Sequence, residues 1–191
     1  MQRVNLAVFS DGSGRGTASA HLVDSNGDVC GQTALRYDAR TITAGAMELC
    51  GIVLGLDMVM RFTETLGAGQ VLSVTFYCDN MPMVDYSRAL RAGDGTLPRD
   101  EHLNQIHGLL RARIDRLCAA GHMWEIWSPR RLRSANRIRY ADLQARSAAQ
   151  GRNDDIQPIP DDLLAALTHC TDVLRDARRF RWADYATMVR L

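Results

Sequence analysis

Apolar residues crowd the start of the chain in short blocks of strand length, then recur at helical spacing, and the two patterns alternate to the end. The blocks Val4 to Ser10, Ala18 to Asp24 and Val29 to Tyr37 each read as a strand. Asn26-Gly27 separates the last two, a dipeptide suited to tight hairpins because both residues tolerate positive φ. A three-stranded meander is expected. From Ala44 the period changes: Leu49, Ile52, Val53 and Leu56 fall at i, i+3, i+4 and i+7, which predicts a helix to about Leu66, stopped by Gly67-Ala68-Gly69. The β-branched and aromatic run Val71 to Cys78 is a fourth strand.

Beyond a helix-turn region at Pro82 to Ala92 and a loop at Gly93 to Pro98, the stretch Asp100 to Ala119 places Leu103, Ile106, Leu110, Ile114 and Leu117 on one face. Gly121 ends that helix, Met123 to Trp127 forms a fifth strand, and Arg139 to Ala149 a further helix. Residues 150–160 are polar and broken by Gly and Pro, which reads as a linker between a domain of residues 1–149 and a helical extension of residues 161–191. In that extension Pro160-Asp161-Asp162 starts a helix and Arg175, Arg178 and Arg179 gather toward its end, where cations suit the dipole. The tail from Phe180 keeps Trp182, Tyr185 and Met188; it is expected to pack back on the domain or to serve as a partner or dimer contact.

Four carboxylates stand at the ends of these elements. Asp11 closes the first strand before Gly12-Ser13-Gly14, which reads as a flexible turn, and Asp79 closes the fourth before Asn80. Glu48 lies near the start of the first helix, and Asp142 in the helix after the fifth strand. Singly, each has an ordinary account: an Asp before Gly bonds nearby backbone, a Glu suits a helix N-terminus, and Asp142 can pair with Arg139 or Arg146. Together they make a candidate metal site, because clustered carboxylates repel one another and a hard divalent cation such as Mg²⁺ relieves the repulsion.

The segments Phe9-Ser10-Asp11-Gly12-Ser13, Met47-Glu48-Leu49, Tyr77-Cys78-Asp79-Asn80 and Asp142-Leu143-Gln144-Ala145-Arg146, in this order and with these spacings, resemble the ribonuclease H type I family over roughly Val4 to Ala149. The resemblance implies a five-stranded mixed α/β sheet flanked by helices. It also implies a metal-dependent endonuclease in which Asp11, Glu48, Asp79 and Asp142 are the catalytic and metal residues for two Mg²⁺ ions, with Mn²⁺ able to substitute. The implied substrate is the RNA strand of an RNA/DNA hybrid; the alternatives are structured DNA or another RNA, or a binding module with a degenerate site. Thr43, five residues before Glu48, matches a position associated with a substrate phosphate. Three departures stand out. The segment from Ser128 to Arg137 lacks the family's loop histidine, the residues around Glu48 and Asp79 that usually touch the hybrid are Ala44-Gly45-Ala46 and Met81, and the usual Asn four residues before the last acid is Ile138, with Asn136 nearby.

Charge sharpens the nucleic-acid reading. The formal net charge is only +1, yet between Arg111 and Arg146 nine arginines face three acids, a local excess of +6. Arg130, Arg131, Arg133 and Arg137, with Asn136, lead toward Asp142 and would rim the acidic site as substrate-binding residues, holding phosphates next to a metal centre. All 23 basic residues are arginine, which GC-rich coding explains without any special chemistry. The five cysteines are scattered with no Cys-x-x-Cys pair, so buried thiols are expected rather than a zinc site or disulfides. No apolar run is long enough to span a membrane and the N-terminus lacks signal-peptide features, so a cytoplasmic protein without membrane contact is expected.

Overall fold

The computed structural model describes residues 2–38, 41–80, 82, 84–85, 88–89, 100–128, 141–142, 145–148, 150, 152 and 156–188, with side chains as far as 177. Five strands form one sheet: β1 (Gln2–Ser13), β2 (Thr17–Asp24), β3 (Val29–Arg36), β4 (Gln70–Tyr77) and β5 (Met123–Trp127), in the order β3-β2-β1-β4-β5. β1, β2 and β3 make the expected antiparallel meander, and β4 and β5 add parallel strands on the other side of β1. Three long helices accompany them: α1 (Ala44–Thr63), α2 (Asn104–Ala119) and α3 (Asp161–Met188). This is the expected five-stranded mixed α/β architecture.

The two sheet faces follow from the strand period of two. Leu6 and Val8 of β1, Leu72, Val74 and Phe76 of β4, and Trp124 and Ile126 of β5 point to one side, where they share a core with α1, with Ile106, Leu110 and Leu117 of α2, and with Leu163, Leu167 and Cys170 of α3. The opposite face is smaller: Phe9, Val23 and Ala141 are buried there, with Ala7 and Tyr77 packed beside them. Arg113 of α2 locks the helical layer, with Nε donating to Asp57 Oδ1 of α1 at 2.7 Å and Nη2 to Asp162 Oδ2 of α3 at 3.0 Å.

Several boundaries differ from those expected. β1 does not stop at Ser10: the antiparallel partner β2 carries pairing on to Ser13 opposite Thr17, and the turn occupies residues 14–16. α1 ends at Thr63, three residues early, and the helix expected from Asp100 opens as a 3₁₀ turn over Glu101–Leu103. α3 does not end near Arg179 but continues to Met188, because no Gly or Pro interrupts the chain beyond Asp161. Within the segment read as a linker, Ile156 bridges Ala34, and Gln157 N donates to Ala34 O at 2.9 Å on the free edge of β3. The loop at Gly93 to Pro98 lies outside the described residues.

Candidate active site at the carboxyl edge of the sheet

β1 and β4 run parallel with Phe9 opposite Tyr77, so two further residues along each chain bring Asp11 and Asp79 past the same edge. The carboxyl ends of parallel strands are where open α/β sheets commonly bind ligands, because the chain there turns away and leaves a crevice. Asp11 is not the strand terminus: it sits within β1 opposite Ser19 of β2, and its rigidity comes from that pairing. Asp79 follows the end of β4, and Val84 N donates to Asn80 O at 3.1 Å as the next helical turn begins.

Glu48 reaches the same place because α1 lies almost on the backbone of β1. A Cβ on Gly12 would stand 2.2 Å from Glu48 N, one on Gly51 3.0 Å from Asp11 O, and one on Gly55 2.5 Å from Val8 Cγ1. The contact therefore requires glycine on both sides, and it holds Glu48 against Asp11. Thr43 caps the helix, its Oγ1 accepting from Ala46 N at 3.2 Å. Asp142 arrives from the opposite face of the sheet: Ser19 Oγ donates to Ala141 O at 2.7 Å, tying the helical residues 141–142 to the strand position facing Asp11. All four acids identified in the sequence thus converge.

Their charges act on one another. Asp11 and Glu48 are each 7% exposed. Burial, followed by the charges of Asp79 and Asp142, pushes Asp11 up to about 7; the Gly12 N–H and Arg146 pull the other way. Burial, followed by Asp11 and Asp79, pushes Glu48 up to about 9, partly offset by Cys78 and the Gly12 N–H. Asp142 is paired with Arg146, whose Nε donates to Oδ1 at 2.7 Å, so the ordinary ion pair expected for this acid forms while the acid still faces the cluster.

Cys78 was legible only as a buried thiol. It donates from Sγ to Glu48 Oε2 at 3.7 Å, and ligand atoms of Glu48, Cys78 and Asp79 all lie within 4.8 Å of one another. Burial, then Glu48, raises the thiol well above its usual value, so it acts as a neutral donor. Gly12, Gly51, Gly55 and Ser19 were also missed as site-building residues; isolated glycines in an apolar helix were the available signal for Gly51 and Gly55, whereas Gly12 read only as part of a turn. Ser10 Oγ, Asn80 Oδ1 and Ser128 Oγ are buried at this edge with no hydrogen-bond partner among the described residues. The donor set, hard carboxylate oxygens that repel one another when ionised, fits a divalent cation. Arg130, Arg131, Arg133, Asn136 and Arg137 lie outside the described residues.

No family model and no curated protein matches this chain. Solved structures do. RNase H1 from the halophilic archaeon Halobacterium salinarum superposes with a TM-score of 0.51 at 16% identity, covering 78% of this chain and 98% of that one. The native prototype foamy virus protease-reverse transcriptase gives 0.51 at 11% identity over 76% of this chain and 21% of that one. The foamy viral protease-reverse transcriptase in complex with an RNA/DNA hybrid gives 0.50 at 8% identity over 78% and 20%. At such identities the likeness is one of backbone, and it agrees with the sheet order and helix placement described above: the chain has the ribonuclease H-like fold.

Proposed function

We propose that the protein is a metal-dependent endonuclease that hydrolyses the RNA strand of RNA/DNA hybrids, using two Mg²⁺ ions held by Asp11, Glu48, Asp79 and Asp142. The observation that carries this reading is the convergence of the four acids, two of them buried, at the carboxyl edge of β1 and β4. A protein gains nothing structurally from burying Asp11 and Glu48 together; the arrangement costs stability at neutral pH unless cations neutralise it. The hybrid is favoured as substrate because the foamy viral protease-reverse transcriptase, 20% of which matches this chain, is in complex with one.

Asp11, central to the cluster and acted on by the charges of both Asp79 and Asp142, would hold the ions together with Glu48, Asp79 and Asp142. When bound, such ions activate the attacking water and neutralise charge on the leaving oxygen. The protein's own contributions are positional. Gly12 and Gly51 hold Glu48 and Asp11 at fixed separation, Ser19 anchors the Asp142 helix, and the Cys78 thiol orients the Glu48 carboxylate. Arg130, Arg131, Arg133 and Arg137, with Asn136, would hold phosphates at the rim, and Thr43 a phosphate near the start of α1.

The test is cleavage of labelled RNA/DNA hybrid, duplex RNA, single-stranded RNA and branched DNA by wild type, Asp11→Asn and Asp79→Asn, with and without Mg²⁺. Cleavage of the hybrid by wild type only, dependent on Mg²⁺, is expected. Full activity in either variant would remove the metal-site assignment, and preference for branched DNA or duplex RNA would move the same site to another substrate.

A further inference from the structure

On the face of the sheet opposite α1, the strand registers line up three aromatic residues: Phe9 of β1 pairs with Tyr77 of β4, and Tyr77 with Trp127 of β5. Phe9 and Tyr77 stack with ring centroids 4.9 Å apart and planes 12° from parallel. The row begins under Ala141, where Phe9 is 4% exposed, and ends in the open at the sheet edge, where Trp127 is 45% exposed. It lies two residues before Asp11 on β1 and before Asp79 beyond β4, and Trp127 O accepts from Cys78 N at 3.1 Å. A large indole therefore stands open one strand away from the acidic cluster, on backbone made rigid by the sheet.

The ring is also electrically prepared. The Arg88 guanidinium lies over it, 5.5 Å from the ring centroid, and keeps a loose 3.8 Å pair with Asp85 that leaves Arg88 half exposed. An exposed tryptophan carrying a cation has no evident stabilising function at the edge of a sheet, since neither group is buried. The pair does combine the two features by which proteins hold nucleic-acid strands irrespective of sequence: an aromatic face for a base and a cation for the adjoining phosphate.

We propose that Trp127 and Arg88 form a stacking platform for one nucleobase of the bound strand, flanking the acidic site. The identity of the ligand rests on the nuclease reading; the platform itself rests on the aromatic row and the cation. Among the described residues β5 is the edge strand, so a base can approach the free part of the ring without displacing any of the five strands.

The experiment uses the full chain carrying Asp79→Asn, so that labelled hybrid and single-stranded oligonucleotides stay intact, and reads affinity by anisotropy and tryptophan emission by titration. Trp127→Ala is expected to raise Kd about tenfold with the salt slope unchanged, because stacking releases no counterions. Trp127→Phe should retain most of the affinity and remove the Trp127 share of the emission quenching seen on binding, the other two tryptophans of the chain remaining as the baseline. Arg88→Gln should lower the log-log salt slope by roughly 0.7 to 0.9, the value of one phosphate contact. Equal affinity in Trp127→Ala, or quenching undiminished in Trp127→Phe, overturns the platform and gives this edge to another kind of partner. The nuclease reading fails separately, if wild-type protein cleaves none of the substrates or Asp79→Asn cleaves them all.

Discussion

Glu48→Gln should stabilise the metal-free protein at neutral pH, by an amount that follows from where the side chain sits. Glu48 is 7% exposed, and burial together with Asp11 and Asp79 raises it from 4.5 to about 9. A carboxyl raised in the folded state favours folding while neutral: that contribution is complete below pH 4.5 and is lost as pH climbs toward 9. At about 1.4 kcal/mol per pH unit, the loss between pH 5 and pH 7.5 is about 3 kcal/mol. Glutamine is nearly isosteric, stays neutral and can still accept from Cys78, so it should match wild type near pH 5 and exceed it by about 3 kcal/mol at pH 7.5. For a chain of this size that is a rise in Tm of roughly 6 to 12 °C. Thermal and urea melts in EDTA at the two pH values measure it. Saturating Mg²⁺ should reverse the order, because wild type gains binding energy that the variant lacks. A Glu48→Gln protein no more stable than wild type at pH 7.5 in EDTA, or equally favoured at pH 5, would refute the claim that this carboxylate is buried against its neighbours.

Three further outcomes are expected. Gly12→Ala should cost about 3 kcal/mol in urea unfolding, since its Cβ would meet Glu48 N at 2.2 Å and α1 would have to lift off β1; a loss below 1 kcal/mol would mean that the helix is not pinned there. Ser19→Ala, which removes the donor to Ala141 O, should cost about 1 to 2 kcal/mol and weaken Mg²⁺ binding measured by calorimetry, whereas an unchanged metal affinity would dissociate Ser19 from the placement of Asp142. Changing Arg130, Arg131 and Arg133 together to Ala should weaken oligonucleotide binding far more at low salt than at high salt, each lost contact lowering the log-log slope by roughly 0.7 to 0.9; an unaltered slope would return these arginines to solvent.

The elements themselves were written locally. Period-two and β-branched runs placed all five strands, and Met123–Trp127 was delimited to the residue, because its Gly121 before and Pro129 after are boundaries any chain obeys. The apolar period of α1 and α2, and the position of Asp79 directly after a strand, were equally local. What the linear chain could not show was which face each residue meets. Asp11 looked like a turn residue because nothing near it announces Thr17 and Ser19 as strand partners; only the β1–β2 register makes it part of a rigid ladder. Glu48 taken singly had the ordinary account of an acid suited to a helix N-terminus, and its burial comes from three glycines on two elements that let backbones touch. The raised carboxyls, the Cys78 contact and the row from Phe9 to Trp127 all depend on distances between residues tens of positions apart. Sequence period reports how a segment buries its own apolar side. The electrostatic cost of gathering like charges, and therefore the chemistry of the site, exists only once tertiary packing has set those charges side by side.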